Sequence, residues 1–266
     1  MLNLEYYWIN LDSANNRRDF MEKQFKERNI INHRISAYTP NDLSKILEDQ
    51  PPFNCGYPDC IKNGCRDCPI EYSVLCSHLK AIQEGYNSEK EYFIICEDDI
   101  GFPFEIDFEK MLMAIPNTID IIQMMVITEG HTDYFYKNFY KNNHYFIRYN
   151  PITPSAAFYL VSRKGAKQLL DMYIDKNSGK FNFINSNFLR LSDVLIFQSV
   201  NTIVSTMPLV IPNLNFQSQI HPEHYDLMFK PAYSKIIEVI RDDNGKNPFI
   251  KKLIYPLDEV EKLFKS

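Results

Sequence analysis

The sequence predicts an α/β protein built around a mixed sheet flanked by helices, and three stretches predict it. Residues 5–37 read as strand, helix, strand at the spacing of a parallel βαβ unit. Tyr92-Phe93-Ile94-Ile95-Cys96 is an apolar run with the length of a buried strand, and it ends in Glu97-Asp98-Asp99. Ala157 to Ser162 reads as another strand running straight into an amphipathic helix.

Taken in order, Glu5 to Leu11 is rich in aromatic and branched residues and is followed by the turn-prone Asp12-Ser13-Ala14-Asn15-Asn16. From Arg17 to Arg28, Phe20, Met21, Gln24 and Phe25 fall on one helical stripe, and Arg34 to Ala37 reads as the second strand. A polar, Pro-containing stretch from Asn41 leads into a cysteine cluster. A helix is expected over Glu71 to Glu84, closed by Gly85. Next come the strand ending at Glu97, a short helix around Phe108 to Ile115 and a buried strand over Asp120 to Ile127. Glu129 to Asn143 reads as a polar, aromatic surface excursion. Strands at Tyr145–Tyr149 and Ala157–Ser162 flank Asn150-Pro151-Ile152-Thr153-Pro154, and Arg163 to Ile174 is a helix with Ala166, Leu169, Leu170 and Tyr173 on one face. Ser192-Asp193 is placed to cap a helix to about Val200, with strands at Ile203–Met207 and Leu209–Ile211. Residues 1–230 are expected to form the main domain, with a Cys-rich insertion at 51–70, and 231–266 a helical extension packed on it, including the amphipathic stretch Leu257 to Phe264.

The 266 residues, 45% hydrophobic and 14% aromatic, describe a globular chain and not a disordered one. A net charge of −5, with basic residues scattered among acids, offers no cationic face to a nucleic-acid backbone. No run approaches the ~18 apolar residues of a membrane span, and the start lacks a secretory signal, so a soluble, cytoplasmic protein is expected.

Three carboxylates delivered to one sheet edge must be neutralised, because crowded anions repel and lose hydration. A divalent cation, Mn²⁺ or Mg²⁺, is the simplest neutraliser, with Glu97 and Asp99 pointing one way and Asp98 the other in an extended chain. The alternative is a solvated acidic turn. His221 or His224 is a candidate to complete such a metal site. Asn10, Asp12, Arg17 and Arg18 lie at the carboxyl end of the first strand, where ligands collect in parallel sheets and guanidinium groups hold phosphate. Arg163 and Lys164 in the first turn of their helix oppose its dipole unless an anion binds there. His78 falls on the buried stripe of its helix with Val74, Leu75 and Ile82, as a satisfied core histidine would. Cys55, Cys60, Cys65 and Cys68, spaced C-x4-C-x4-C-x2-C, suit either one structural Zn²⁺ or disulfides, with zinc favoured in a chain lacking an export signal.

Ile9-Asn10-Leu11-Asp12 with Arg17, Ser77-His78-Leu79, Glu97-Asp98-Asp99, Ala156 to Ala166 with Leu169-Leu170, and Asp193 together resemble, in that order, glycosyltransferase family 25. That family groups lipopolysaccharide-biosynthesis glycosyltransferases with procollagen galactosyltransferases and includes viral members. The resemblance spans residues 5 to 220. It implies a GT-A type fold, a uridine diphosphate sugar as donor, a hydroxyl of a glycan, protein or lipid-linked acceptor, and Mn²⁺ or Mg²⁺. Carried over, Glu97 and Asp99 frame the acidic metal motif. Asn10, Leu11 and Arg17 belong to the nucleotide-side loop, and Thr153, Ser155 and Asp193 fall where donor and acceptor meet. Asp12, at the first strand's end, and Asp98, as a ribose or supporting contact, join them on the donor side. The resemblance also implies inversion at the anomeric carbon, so one carboxylate on the opposite face is expected to take the acceptor's proton. Asp193 is the first candidate, with Glu129 and Glu223 behind it. A glycan-binding or adhesion module that has lost turnover is the competing expectation, and a homodimer is left open. The frequent Asn, Ile, Lys, Phe and Tyr suit an AT-rich gene, as of a large DNA virus or an AT-rich bacterium.

Overall fold

A computed structural model describes residues 4–49, 68–151, 153–216 and 225–254. Aromatic and branched residues form β1 (Tyr6–Asn10), and α1 (Asn15–Glu27) and β2 (Asn32–Ser36) complete a parallel βαβ start. A short α2 (Leu43–Ile46) precedes the long α3 (Pro69–Asn87), which leads into β3 (Tyr92–Glu97). Then follow β4 (Ile100–Gly101), β5 (Phe104–Ile106), α4 (Phe108–Met113), β6 (Ile121–Gln123), α5 (Glu129–Asn138), β7 (Phe146–Arg148), β8 (Phe158–Ser162) and α6 (Arg163–Tyr173). The described chain ends with α7 (Ser192–Ser199), β9 (Thr202–Ser205), β10 (Ile211–Pro212), α8 (Lys230–Asp243) and β11 (Ile250–Leu253).

Seven strands form one mixed sheet in the order β2-β1-β3-β8-β6-β9-β7. β1 is parallel to β2 and β3, and β6 to β9, whereas β8 runs antiparallel to both β3 and β6. This is the α/β, Rossmann-like arrangement with helices on the faces, consistent with the GT-A type. Strand alternation divides the core in two. Phe93 and Ile95 of β3 pack with Leu75, Leu79 and Ile82 of α3, while Ile94 and Cys96 face Met21 and Phe25 of α1. Parity then places Glu97 on the α3 side and Asn10, in step with Trp8, on the α1 side, which brings chemistry to the carboxyl ends of β1 and β3 from both layers.

Several sequence expectations are corrected. Gly85 does not close α3, which continues to Asn87. A Cβ at Gly85 would lie 2.3 Å from Cε2 of Phe93, so this glycine lets the helix lie close on β3. The stretch expected as a surface excursion contains α5, because Thr132, Phe135 and Tyr136 recur at helical spacing and are buried. Ser192 does not cap α7. Leu191 holds the cap position and no side chain bonds there. α8 buries Ala232, Tyr233, Ile236, Ile237 and Ile240, and β11 pairs with β5. The stretch 257–264 lies outside the described residues.

Candidate active site

A cavity of about 510 Å³ opens where β1 and β3 end, within the usual size of a small-molecule site. Asn10, Leu11, Arg17, Thr39, Ser77, His78, Glu97, Asp98, Asp99, Ser155 and Asp193 are among its lining residues. They come from α1, α3, α7 and the ends of β1 and β3, so the fold converges residues far apart in sequence.

β3 ends at Glu97, and Asp98 and Asp99 form a turn. Strict alternation therefore stops at Glu97, and all three acids face the cavity instead of splitting two and one. Each has a protein partner. Arg17 Nη1 lies 2.7 Å from Asp98 Oδ1 and 3.3 Å from Asp99 Oδ2, and Asn10 Nδ2 donates to Asp98 Oδ2 at 2.6 Å. His78 Nε2 lies 3.3 Å from Glu97 Oε1. The partial neutraliser is thus an arginine. Arg17 shares the buried face of α1 with Met21 and Gln24, and its guanidinium is also stacked over Phe216 at 5.4 Å.

One guanidinium does not balance three acids. Burial pushes the Asp99 carboxyl up to about 7, with Glu97 and Asp98 adding to the rise and Arg17 opposing it. Asp98 is likewise raised by burial against the pull of Arg17 and Asn10. Among the described residues no three His, Cys, Asp or Glu side chains converge as a ready-made metal site. The hard-oxygen pair Glu97 and Asp99 suits Mg²⁺ or Mn²⁺ only if a substrate phosphate supplies further ligands.

Asn10 is held from every side. Its Nδ2 donates to Asp98 and to the Ala14 carbonyl, and its Oδ1 accepts from Arg34 Nε at 2.8 Å. The amide therefore orients Asp98 and has little capacity left for a ligand. Asp12 is exposed, pairs with Arg34 and Ser36, and does not line the cavity.

Asp193 sits in the first turn of α7. Its Oδ2 accepts the Ser155 N–H at 3.2 Å, and its carbonyl accepts Tyr149 Oη at 2.6 Å. Burial first, then Glu71 and Glu97, push its carboxyl up to about 6, against the Ser155 N–H. Ser155 is held at φ 134°, outside the ordinary range of a non-glycine residue. Buried Gln123 pins this turn by donating to the Thr153 and Ser155 carbonyls at 3.1 and 2.9 Å. Thr153 is buried beneath the turn, donates to Asn150 O, and is not part of the lining.

Other expected residues lie elsewhere. Glu129 is exposed at the start of α5 and outside the lining. Arg163 donates to Tyr86 O and Lys164 pairs with Asp120. Because β8 runs antiparallel to β3, these cations start α6 at the opposite end of the sheet from the acids, so their expected anion site is not at this cavity. Arg18 bonds Asp12 O and is not among the lining residues. Cys68 is buried at the cap position of α3. Cys55, Cys60, Cys65, His221, Glu223 and His224 lie outside the described residues. No described helix is long and apolar enough to cross a membrane. His78, read from spacing as a core residue, is fully buried and also lines the cavity. Its signal was the polar set Ser73, Ser77 and His78 on one buried face, which requires partners.

Comparison with known proteins gives the family of the chain. Residues 3–183 match the model of glycosyltransferase family 25 (LPS biosynthesis protein). Putative glycosyltransferase R655 of Acanthamoeba polyphaga mimivirus is 25% identical over 130 residues, which is 48% of this chain and 37% of that protein. The aligned segment thus spans well under half of that viral relative. The family match covers more than half of the chain and takes in β1, α3 and the acidic turn after β3, and on it the chain belongs to glycosyltransferase family 25.

Proposed function

We propose that the cavity binds a uridine diphosphate sugar and passes its hexose, galactose, glucose or N-acetylglucosamine, to a hydroxyl of a glycan, protein or lipid-linked acceptor with inversion. The observation that carries this reading is one cavity lined both by the Arg17-braced acidic turn and by Asp193, a half-buried carboxylate of raised basicity. Arg17 faces the diphosphate while Asp98 and Asn10 hold it in place. Glu97 and Asp99 would hold Mn²⁺ or Mg²⁺, which when bound supplies positive charge to the leaving diphosphate.

Asp193 takes the proton of the acceptor hydroxyl. A carboxylate whose pKa lies near the working pH is a better base than an exposed one and is still ionised at neutral pH. The Ser155 N–H fixes the Oδ2 oxygen, leaving Oδ1 for the acceptor. Incubation with Mn²⁺, a panel of sugar nucleotides and hydroxyl acceptors tests this. Metal-dependent release of the nucleoside diphosphate with a glycosylated product supports it. Glycan binding without turnover would favour a binding module, and sugar released to water alone would mark a hydrolase.

A further inference from the structure

We propose that His78 is a positioning residue of this site: locked by Tyr159 in the tautomer that carries its hydrogen on Nε2, it fixes one oxygen of Glu97 and leaves the other to the ligand. The role, though not the tautomer, rests on the transferase reading above.

The three residues meet because of strand parity. Glu97 ends β3 on the α3 face, Tyr159 in β8 packs on the same face, and His78 in α3 lies over both. His78 Nδ1 is 3.0 Å from Tyr159 Oη, and Nε2 is 3.3 Å from Glu97 Oε1. An ionised carboxylate only accepts, so Nε2 must be the donor. Tyr159 is fully buried, and among the described residues its hydroxyl bonds only to Nδ1. Burial, with Glu97 and Cys96 nearby, keeps that hydroxyl a phenol, well above its usual pKa. If the phenol hydrogen points to the Nδ1 lone pair, every buried polar atom of the trio is satisfied. If Nδ1 carried the hydrogen instead, the phenol hydrogen would have no acceptor.

A histidine needed only for packing would not require its outer nitrogen in the cavity wall. Here Nε2 meets Glu97, whose side chain is 30% exposed at the cavity, and Oε2 makes no bond among the described residues. The imidazole thus removes a rotational freedom from Glu97. Supports of this kind behind a ligand-holding group are worth ~10–100-fold in activity when removed.

The test uses the full ¹⁵N-labelled chain and reads the histidine side chains by long-range ¹H–¹⁵N correlation at one neutral pH. The His78 signals are assigned by their loss in His78→Gln. The expected result is a neutral Nε2–H tautomer in the wild type and mixed tautomers in Tyr159→Phe. Turnover is measured in parallel. His78→Gln, whose amide N–H stands near the place of Nε2, stays within about tenfold of wild type, whereas His78→Ala loses ~10–100-fold in kcat with the donor KM within about twofold. An Nδ1–H or charged imidazole in the wild type overturns the proposal, as does equal loss in Gln and Ala variants. If His78→Ala does not fold, Tyr159→Phe and His78→Gln carry the test. Absence of any wild-type turnover would count against the transferase reading, while the spectra would still decide the tautomer.

Discussion

Asp193→Asn separates stability from chemistry at one atom pair. In the folded protein the Asp193 carboxyl is raised from 3.8 to about 6, chiefly by burial and then by Glu71 and Glu97. The folded chain therefore keeps a proton that the unfolded chain loses between about pH 4 and 6. Stability falls as the pH rises through that window, and the cost is fully present above it. A shift of about two units is worth about 3 kcal/mol at most, and allowing for the partly exposed carboxylate leaves about 1–2 kcal/mol. Asparagine removes the charge, and its Oδ1 still accepts the Ser155 N–H. Urea denaturation should then show the variant about 1–2 kcal/mol more stable than wild type at pH 8 and no more stable at pH 3.5. Turnover should fall ~10²–10⁴-fold if Asp193 is the base. Equal or lower stability at pH 8 would refute the assigned cost of burial. Wild-type turnover in the variant would remove Asp193 from the reaction.

Arg17→Met strips the guanidinium from Asp98 and Asp99 and should cost about 3–5 kcal/mol near neutral pH, as breaking a buried pair does, with the loss shrinking as acid protonates the two carboxyls. Chemical denaturation at pH 8 and pH 4 checks both the size and the direction. Gly85→Ala should destabilise by about 1–3 kcal/mol despite alanine's better helix propensity, because the new Cβ meets the buried Phe93 ring. Turnover per folded molecule should be unchanged, and a more stable variant would contradict the close helix–strand contact.

The start of the fold and the acidic turn were legible in the sequence because their signals are local. Aromatic and branched residues marked β1, and an apolar run ending in Glu97-Asp98-Asp99 marked β3. Arg17 could have been read further, since it stands four residues before Met21 and seven before Gln24 on the buried stripe, and an arginine there implies a buried anion. What the sequence hid depends on strand order. The antiparallel insertion of β8 between β3 and β6 sends Arg163 and Lys164 to the far end of the sheet. Asn10 and Thr153 were expected at the donor; Asn10 lines the cavity and bonds Asp98, and Thr153 is buried under the turn bearing Ser155. Distinguishing contact from support needs the hydrogen-bond partners, which no spacing rule supplies.

In the proposed function the acidic turn beside Arg17 holds the donor's diphosphate through a metal. Calorimetric titration of the full chain with uridine diphosphate, with and without Mn²⁺, addresses it most directly when repeated on Asp99→Asn. Tighter binding with Mn²⁺, by tenfold or more, and loss of that gain in Asp99→Asn is the predicted result. Equal affinity with and without Mn²⁺ in the wild type, or an undiminished gain in Asp99→Asn, would contradict it.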